Sequence, residues 1–152
     1  MKIAQVSDHI WVGHKDVCDQ GQYPPSRRIH IWRSDHPTYS CQYVVDNAVV
    51  DDCNLKLHYR DGEPLSSIDI PLEDIREFIR EDGSILIHCM AGQTRSPMMA
   101  AFALCCMGGD PYQAIATVLK ATWEGYGVPF NVCLTPMQDL LVLYRDGFFR
   151  RD

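Results

Sequence analysis

His88-Cys89-Met90-Ala91-Gly92-Gln93-Thr94-Arg95-Ser96 reads H-C-x-x-G-x-x-R-S, with a cysteine and an arginine six positions apart, a glycine between them and a hydroxyl residue directly after. The flanks give the stretch its setting. Ser84-Ile85-Leu86-Ile87 is a short apolar, β-branched run, as in a buried strand. Pro97 suits the first turn of a helix, where its missing N–H costs nothing. Met98 to Met107 is almost wholly apolar and predicts a buried helix, which Gly108-Gly109 ends. The whole reads as a strand–loop–helix turn.

Such a turn favours an anion. Successive loop N–H groups form a concave nest, and a helix start adds unpaired N–H donors and the positive end of the dipole. Gly92 permits a tight bend. Arg95 offers a planar fork that fits two oxygens of a phosphate. The same field favours the thiolate of Cys89 and so makes it a nucleophile. Taken singly, such a cysteine is a small buried hydrophobe, such a histidine structural and such an arginine a surface charge. Their joint spacing on one turn reverses that reading.

The stretch resembles the signature loop of the cysteine-dependent protein tyrosine phosphatases, in particular the compact dual-specificity branch. The resemblance implies a two-step reaction through a phosphocysteine intermediate. By position, Cys89 is the nucleophile, Arg95 holds the transferring phosphoryl group, and Ser96 donates to the sulfur as it leaves. His88 braces the loop. Backbone N–H groups of Met90, Ala91, Gly92, Gln93, Thr94 and Arg95 bind the phosphoryl oxygens, the electrostatic stabilisation this chemistry needs.

The family also uses an aspartate on a loop a few tens of residues upstream to protonate the departing oxygen. Asp61 lies 28 positions before Cys89 in Tyr59-Arg60-Asp61-Gly62-Glu63-Pro64, after the extended run Asn54 to His58. Its Gly and Pro mark a loop. Asp69 is the second candidate, close enough to the next helix to cap it instead. Glu63 is the third. Asn131 and Thr135 are candidates for positioning the hydrolytic water.

Composition fits one enzyme domain over residues 1–152, because 46% apolar and 22% charged residues are ordinary for a globular chain with a core. Seven cysteines, an odd number with no C-x-x-C, speak against a secreted disulfide scaffold and for a cytoplasmic location. Cys105 and Cys106 read as packing, and Cys18, Cys41, Cys53 and Cys133 as core thiols. The six histidines lack metal spacing, and His9, His14, His30 and His36 read as surface or packing residues. No cofactor or metal is expected. A net charge of −6 argues against nucleic-acid and anionic-membrane partners. Arg27-Arg28, with Arg33, reads as a solvated basic face. No stretch approaches the ~20 apolar residues of a membrane span.

The remaining pattern predicts an α/β fold, a mostly parallel sheet flanked by helices. Ile3–Val6 and Ile10–Gly13 read as opening strands, Ile29–Trp32 and Leu55–Tyr59 as further strands, and Cys41–Val50 as ambiguous. Leu72, Ile75 and Ile79 recur at helical spacing from Pro71 to Gly83. Asp110-Pro111-Tyr112-Gln113 and Thr135-Pro136-Met137-Gln138 each read as an N-cap followed by proline. The Trp123–Asn131 segment reads as a loop bordering the site.

The expected partner is a phosphorylated protein or peptide, with phosphotyrosine first and phosphoserine or phosphothreonine next. No residue among Met90, Ala91, Gln93 and Thr94 is basic, which lowers the weight of phosphoinositides. Nucleotide and RNA 5′-phosphates stay open. The competing readings are a sulfurtransferase or arsenate reductase, a phosphate-binding module without turnover, and a redox sensor.

Overall fold

The structure, a computed structural model, describes residues 3–14, 27–33, 43–45, 48–50, 54–80, 84–89 and 94–150. In chain order the strands are β1 (Ile3–Gln5), β2 (Ile10–His14), β3 (Arg27–Trp32), β4 (Tyr43–Val45), β5 (Ala48–Val50), β6 (Asn54–His58) and β7 (Ile85–Cys89). The helices are α1 (Leu72–Arg80), α2 (Arg95–Cys106), α3 (Pro111–Tyr126) and α4 (Leu134–Arg145), with a 3₁₀ turn at Leu65–Ser67.

Five strands form one sheet in the order β1-β2-β7-β3-β6. Only the β1–β2 pair is antiparallel; β2–β7, β7–β3 and β3–β6 run parallel. The α/β fold with a mostly parallel sheet is therefore as expected, and β7 is its middle strand. The ambiguous 41–50 segment contains a separate antiparallel pair, β4 with β5.

Period-two alternation divides the sheet into two faces. Ile10, Val12, Ile29, Ile31, Leu57, Ile85, Ile87 and Cys89 point into the main core with residues of all four helices. Burial of each such aliphatic side chain contributes roughly 1.5–3 kcal/mol. On the other face Trp32 and Leu86 pack with Ile3 and Trp11. Gly125 is forced by packing: a Cβ there would meet Ile3 O at 2.4 Å and Ala4 Cβ at 2.9 Å, so only glycine lets the end of α3 press onto β1.

Several local expectations are corrected. The strand before the signature runs through His88 and Cys89, because both are paired in register with β2. Helix α2 begins at Arg95, so Pro97 is its third residue. Asp110 does cap α3, accepting from Gln113 N at 3.0 Å. Thr135 does not cap α4: Cys133 is the extended N-cap residue, with no side-chain cap bond, and Thr135 lies inside the first turn. Helix α3 extends to Tyr126, so the loop there is 127–133 and not Trp123–Asn131. Arg27 and Arg28 are not a solvated face. Strand β3 lies between β7 and β6, so both side chains are buried; Arg27 donates to Phe78 O and stacks 4.2 Å above the Phe78 ring. Cys18, Cys41, Cys53, His36 and Gly83 lie outside the described residues.

Candidate active site

β7 ends at Cys89 and α2 starts at Arg95, at the carboxyl edge of a central parallel strand, where open α/β sheets hold ligands. Cys89 is buried, and its Sγ lies 3.2 Å from Ser96 Oγ. Ser96, also buried, donates to the β2 carbonyl of Gly13 at 3.3 Å. The hydroxyl has one proton for two acceptors, the Gly13 oxygen and a Cys89 thiolate. Gly13 was not foreseen as part of the site, because the contact spans 83 positions of chain.

Arg95 leaves the first turn of α2 and is 7% exposed along its side chain; its Nε lies 2.9 Å from Asp61 Oδ1. Its Nη1 is buried with no hydrogen-bond partner among the described residues. The two residues that sequence reasoning ranked first as phosphate holder and acid are thus in contact. Asp61 is 55% exposed, so its carboxylate meets both Arg95 and solvent. Thr94 precedes α2 without a side-chain cap bond, and its Oγ1 accepts from Asn131 Nδ2 at 3.5 Å. The first-turn N–H groups of α2 therefore compete with no capping hydroxyl from Thr94, and no acidic side chain sits in that turn. Met90, Ala91, Gly92 and Gln93 lie outside the described residues.

The loop that carries Asp61 is tied down from both ends. Tyr59 N donates to Trp32 O at 2.8 Å, prolonging the β3–β6 pairing, and the Tyr59 hydroxyl donates to Glu63 O. Gly62 sits at φ +80° in the turn after Asp61, the left-handed region that favours glycine. Asp139 of α4 accepts from Leu65 N at 2.7 Å. Burial pushes the Tyr59 phenol far up, and Cys133, Asp139, Asp61 and Glu63 add to it. Burial likewise raises the Cys133 thiol, with Asp61 adding to it. Cys133 is only partly buried and is not a core thiol: a Cβ on Gly62 would lie 3.9 Å from its Sγ. Asp139 escaped the sequence reading because its contact with Leu65 is 74 residues away.

Asp69, the second candidate, is engaged elsewhere. Its carboxylate accepts from His58 N at 2.6 Å and lies 3.0 Å from His58 Nδ1, so it locks the end of β6 and does not cap α1. Glu63 is exposed, two residues after Asp61 in the same loop. Among the described residues Thr135 makes no hydrogen bond to the site, whereas Asn131 reaches Thr94.

Two further groups lie behind and beside Cys89. His88 is fully buried; its Nδ1 is 3.4 Å from Cys89 O and its Nε2 is 2.5 Å from His30 Nδ1. The Tyr126 hydroxyl, at the end of α3, is buried without a partner among the described residues. Its phenol is pushed far up by burial, with Cys89 nearby adding to the effect. Loop 127–133 is held by Thr122, which accepts from Phe130 N at 3.0 Å and donates to Val118 O at 2.9 Å. A cavity of about 510 Å³ lies at the other end of α2, lined by Cys105, Cys106, Met107, Tyr144, Phe149 and Arg150. A twelve-residue helix puts it roughly 16 Å from the signature, so it takes no part in this constellation.

Chemically, the site joins a thiol, a hydroxyl beside it, a buried guanidinium, uncapped helix N–H groups and a half-exposed carboxylate. No family model and no curated protein matches the sequence. Solved structures do match in three dimensions. The human tyrosine phosphatase-like serine/threonine/tyrosine-interacting protein superposes with a TM-score of 0.63 at 17% identity, over 97% of this chain and 98% of that one. The PTP-2 phosphatase of Cydia pomonella gives 0.58 at 19% identity, over 92% and 88%. PTPMT1 gives 0.58 at 13% identity, over 95% and 94%. The chain therefore has the fold of the dual-specificity and tyrosine phosphatases.

Proposed function

We propose that this protein is a phosphomonoester hydrolase that works through a phosphocysteine at Cys89, with phosphotyrosine in proteins as the first substrate and phosphoserine or phosphothreonine next. The observation that carries this reading is the convergence of Cys89, Ser96, Arg95 and Asp61 at the end of β7, with Cys89 Sγ 3.2 Å from Ser96 Oγ and Arg95 Nε 2.9 Å from Asp61 Oδ1.

In the first step the Cys89 thiolate attacks phosphorus, the ester P–O bond breaks, and Asp61 gives its proton to the leaving oxygen. Arg95 and the N–H groups at the start of α2 take the phosphoryl oxygens. The phosphoryl group displaces the Asp61 carboxylate from Arg95, and the freed, solvent-facing carboxylate takes a proton from water before it faces the leaving group. In the second step Asp61, now a carboxylate, accepts a proton from water as the water oxygen attacks phosphorus. The S–P bond breaks, and the Ser96 hydroxyl turns its proton from Gly13 O to the departing sulfur. The loop from Phe130 to Cys133, with Asn131 on Thr94, borders the water's approach. The buried, upward-shifted thiol of Cys105 has no part in this.

The absence of a basic residue among Met90, Ala91, Gln93 and Thr94 and the net charge of −6 favour a protein substrate over lipid or nucleic-acid phosphates. The odd cysteine count favours the cytoplasm. The test is a kcat/KM panel of phosphotyrosyl, phosphoseryl and phosphothreonyl peptides against a nucleoside 5′-monophosphate, a 5′-phosphorylated RNA and a phosphoinositide. Highest efficiency on the phosphotyrosyl peptide is expected. Preference for any non-protein phosphoester would replace the substrate assignment, and binding without turnover would replace the enzyme assignment.

A further inference from the structure

On the sheet face opposite the helix-packed core, two imidazoles meet directly behind the candidate nucleophile. His30 and His88 are register partners on β3 and β7, and both are fully buried. His30 Nδ1 lies on His88 Nε2, with ring centroids 4.6 Å apart and planes at 81°. Trp32 fixes both rings: it lies parallel to His30 at 6.4 Å and edge-on to His88 at 5.8 Å. The far nitrogen of His88, Nδ1, faces Cys89 O.

Proton counting orders this chain. A carbonyl oxygen only accepts, so the bond to Cys89 O needs a proton on His88 Nδ1. A nitrogen–nitrogen contact holds one proton, because two lone pairs repel and two N–H groups clash. With both rings neutral, His88 Nε2 is then the acceptor and His30 Nδ1–H the donor. If the pair takes up one more proton, His88 still keeps Nδ1–H. The groups bordering the pair are Arg28, two residues before His30 on the same strand face, and Lys56, opposite His30 in the β6 register. His14 stands opposite Cys89 on β2.

We propose that His30 is a positioning residue for the nucleophile: through Nδ1 it holds His88 in the Nδ1–H form, and so fixes the carbonyl of Cys89 at the point where the chain leaves β7. Only the turnover arm of this proposal rests on the phosphatase reading.

The test uses the full chain labelled with ¹⁵N at histidine. Long-range ¹H–¹⁵N correlation spectra are expected to show His88 protonated at Nδ1. A wild-type spectrum with His88 protonated at Nε2 alone overturns the proposal without any variant, so it stays falsifiable even if a variant does not fold. In His30→Leu the Nδ1–H form is expected to lose its dominance. The midpoint of Cys89 alkylation by iodoacetamide is expected to move to higher pH. Its kcat is expected to fall on the order of 10-fold at nearly constant KM, the lower end of what losing the hydrogen-bond partner of a metal-bound imidazole costs. His30→Asn, which keeps an amide donor near the Nδ1 position, is expected to restore the alkylation profile. A folded His30→Leu with unchanged tautomer and alkylation profile, or a folded His30→Asn no better than leucine, refutes the assignment. The spectrum and the alkylation need no turnover, so failure of the phosphatase reading shows separately.

Discussion

Asp61→Asn separates two consequences of one carboxylate. In the resting site Asp61 Oδ1 lies 2.9 Å from Arg95 Nε, and in the proposed mechanism an incoming phosphoryl group displaces it. The amide keeps the shape and an acceptor oxygen but removes the charge. The pair joins a nearly buried guanidinium to a carboxylate that is 55% exposed, so its value lies between two limits. Exposed ion pairs contribute about 0.2–1 kcal/mol, and hydrogen bonds to charged groups about 1.5–3 kcal/mol. Solvent screening of Asp61 favours the lower part of that span, about 1 kcal/mol, which is roughly five-fold in a dissociation constant. Asp61→Asn should therefore bind tungstate, a tetrahedral dianion like phosphate, about five-fold more tightly than wild type. Its kcat should fall on the order of 10² to 10⁴-fold, the usual worth of a general acid. Alkyl phosphates should suffer more than aryl phosphates, whose leaving oxygen needs less protonation. Isothermal titration calorimetry at pH 7 and steady-state kinetics measure the two arms. Unchanged or weaker tungstate binding would refute the competition between Asp61 and the phosphoryl group. Equal slowing of alkyl and aryl esters would remove Asp61 as the acid.

Three further outcomes follow from the same geometry. Ser96→Ala should slow the second step, so that rapid acid quench finds labelled phosphoenzyme accumulating on Cys89; no accumulation would remove Ser96 from sulfur departure. Asp139→Ala removes the acceptor of Leu65 N and should lower kcat with little change in KM while costing about 1–3 kcal/mol in urea unfolding; an unchanged kcat would show that the acid loop does not depend on α4. Burial, with Asp110 adding, pushes the Cys105 thiol from 9.0 up to about 12, so the folded state holds that proton more tightly than the unfolded chain. Stability from this group is complete below about pH 9 and is lost as pH rises toward 12, by at most about 1.4 kcal/mol per pH unit. Cys105→Ala should flatten that slope in alkaline urea titrations, and an unchanged slope would contradict the assignment.

What was legible in the sequence was local. The strand–loop–helix setting of Cys89 and Arg95 follows from an apolar run, a proline and a glycine pair within about 25 positions, and Asp61 from the family resemblance together with a turn signal at the end of a strand. Helix ends were legible where a side chain caps them, as at Asp110, and not at Thr135, whose hydroxyl pattern was imitated by a first helical turn entered from Cys133. What was not legible depends on strand order. Arginines on a strand read as surface until β3 is found between β7 and β6, which buries Arg28 completely. His30 read as packing because nothing within its own strand reveals a partner 58 residues away on β7. Asp139, which holds the loop after Asp61 through Leu65 N, belongs to a helix that the sequence joins to the site only through the fold.

The central claim is that Cys89 is the nucleophile of a phosphomonoesterase, and hydrolysis of p-nitrophenyl phosphate by reduced, folded wild type and Cys89→Ser between pH 5 and 8 tests it most directly. The account predicts turnover in wild type and none above background in Cys89→Ser. Equal turnover in both proteins, or none in a folded, reduced wild type, would contradict it.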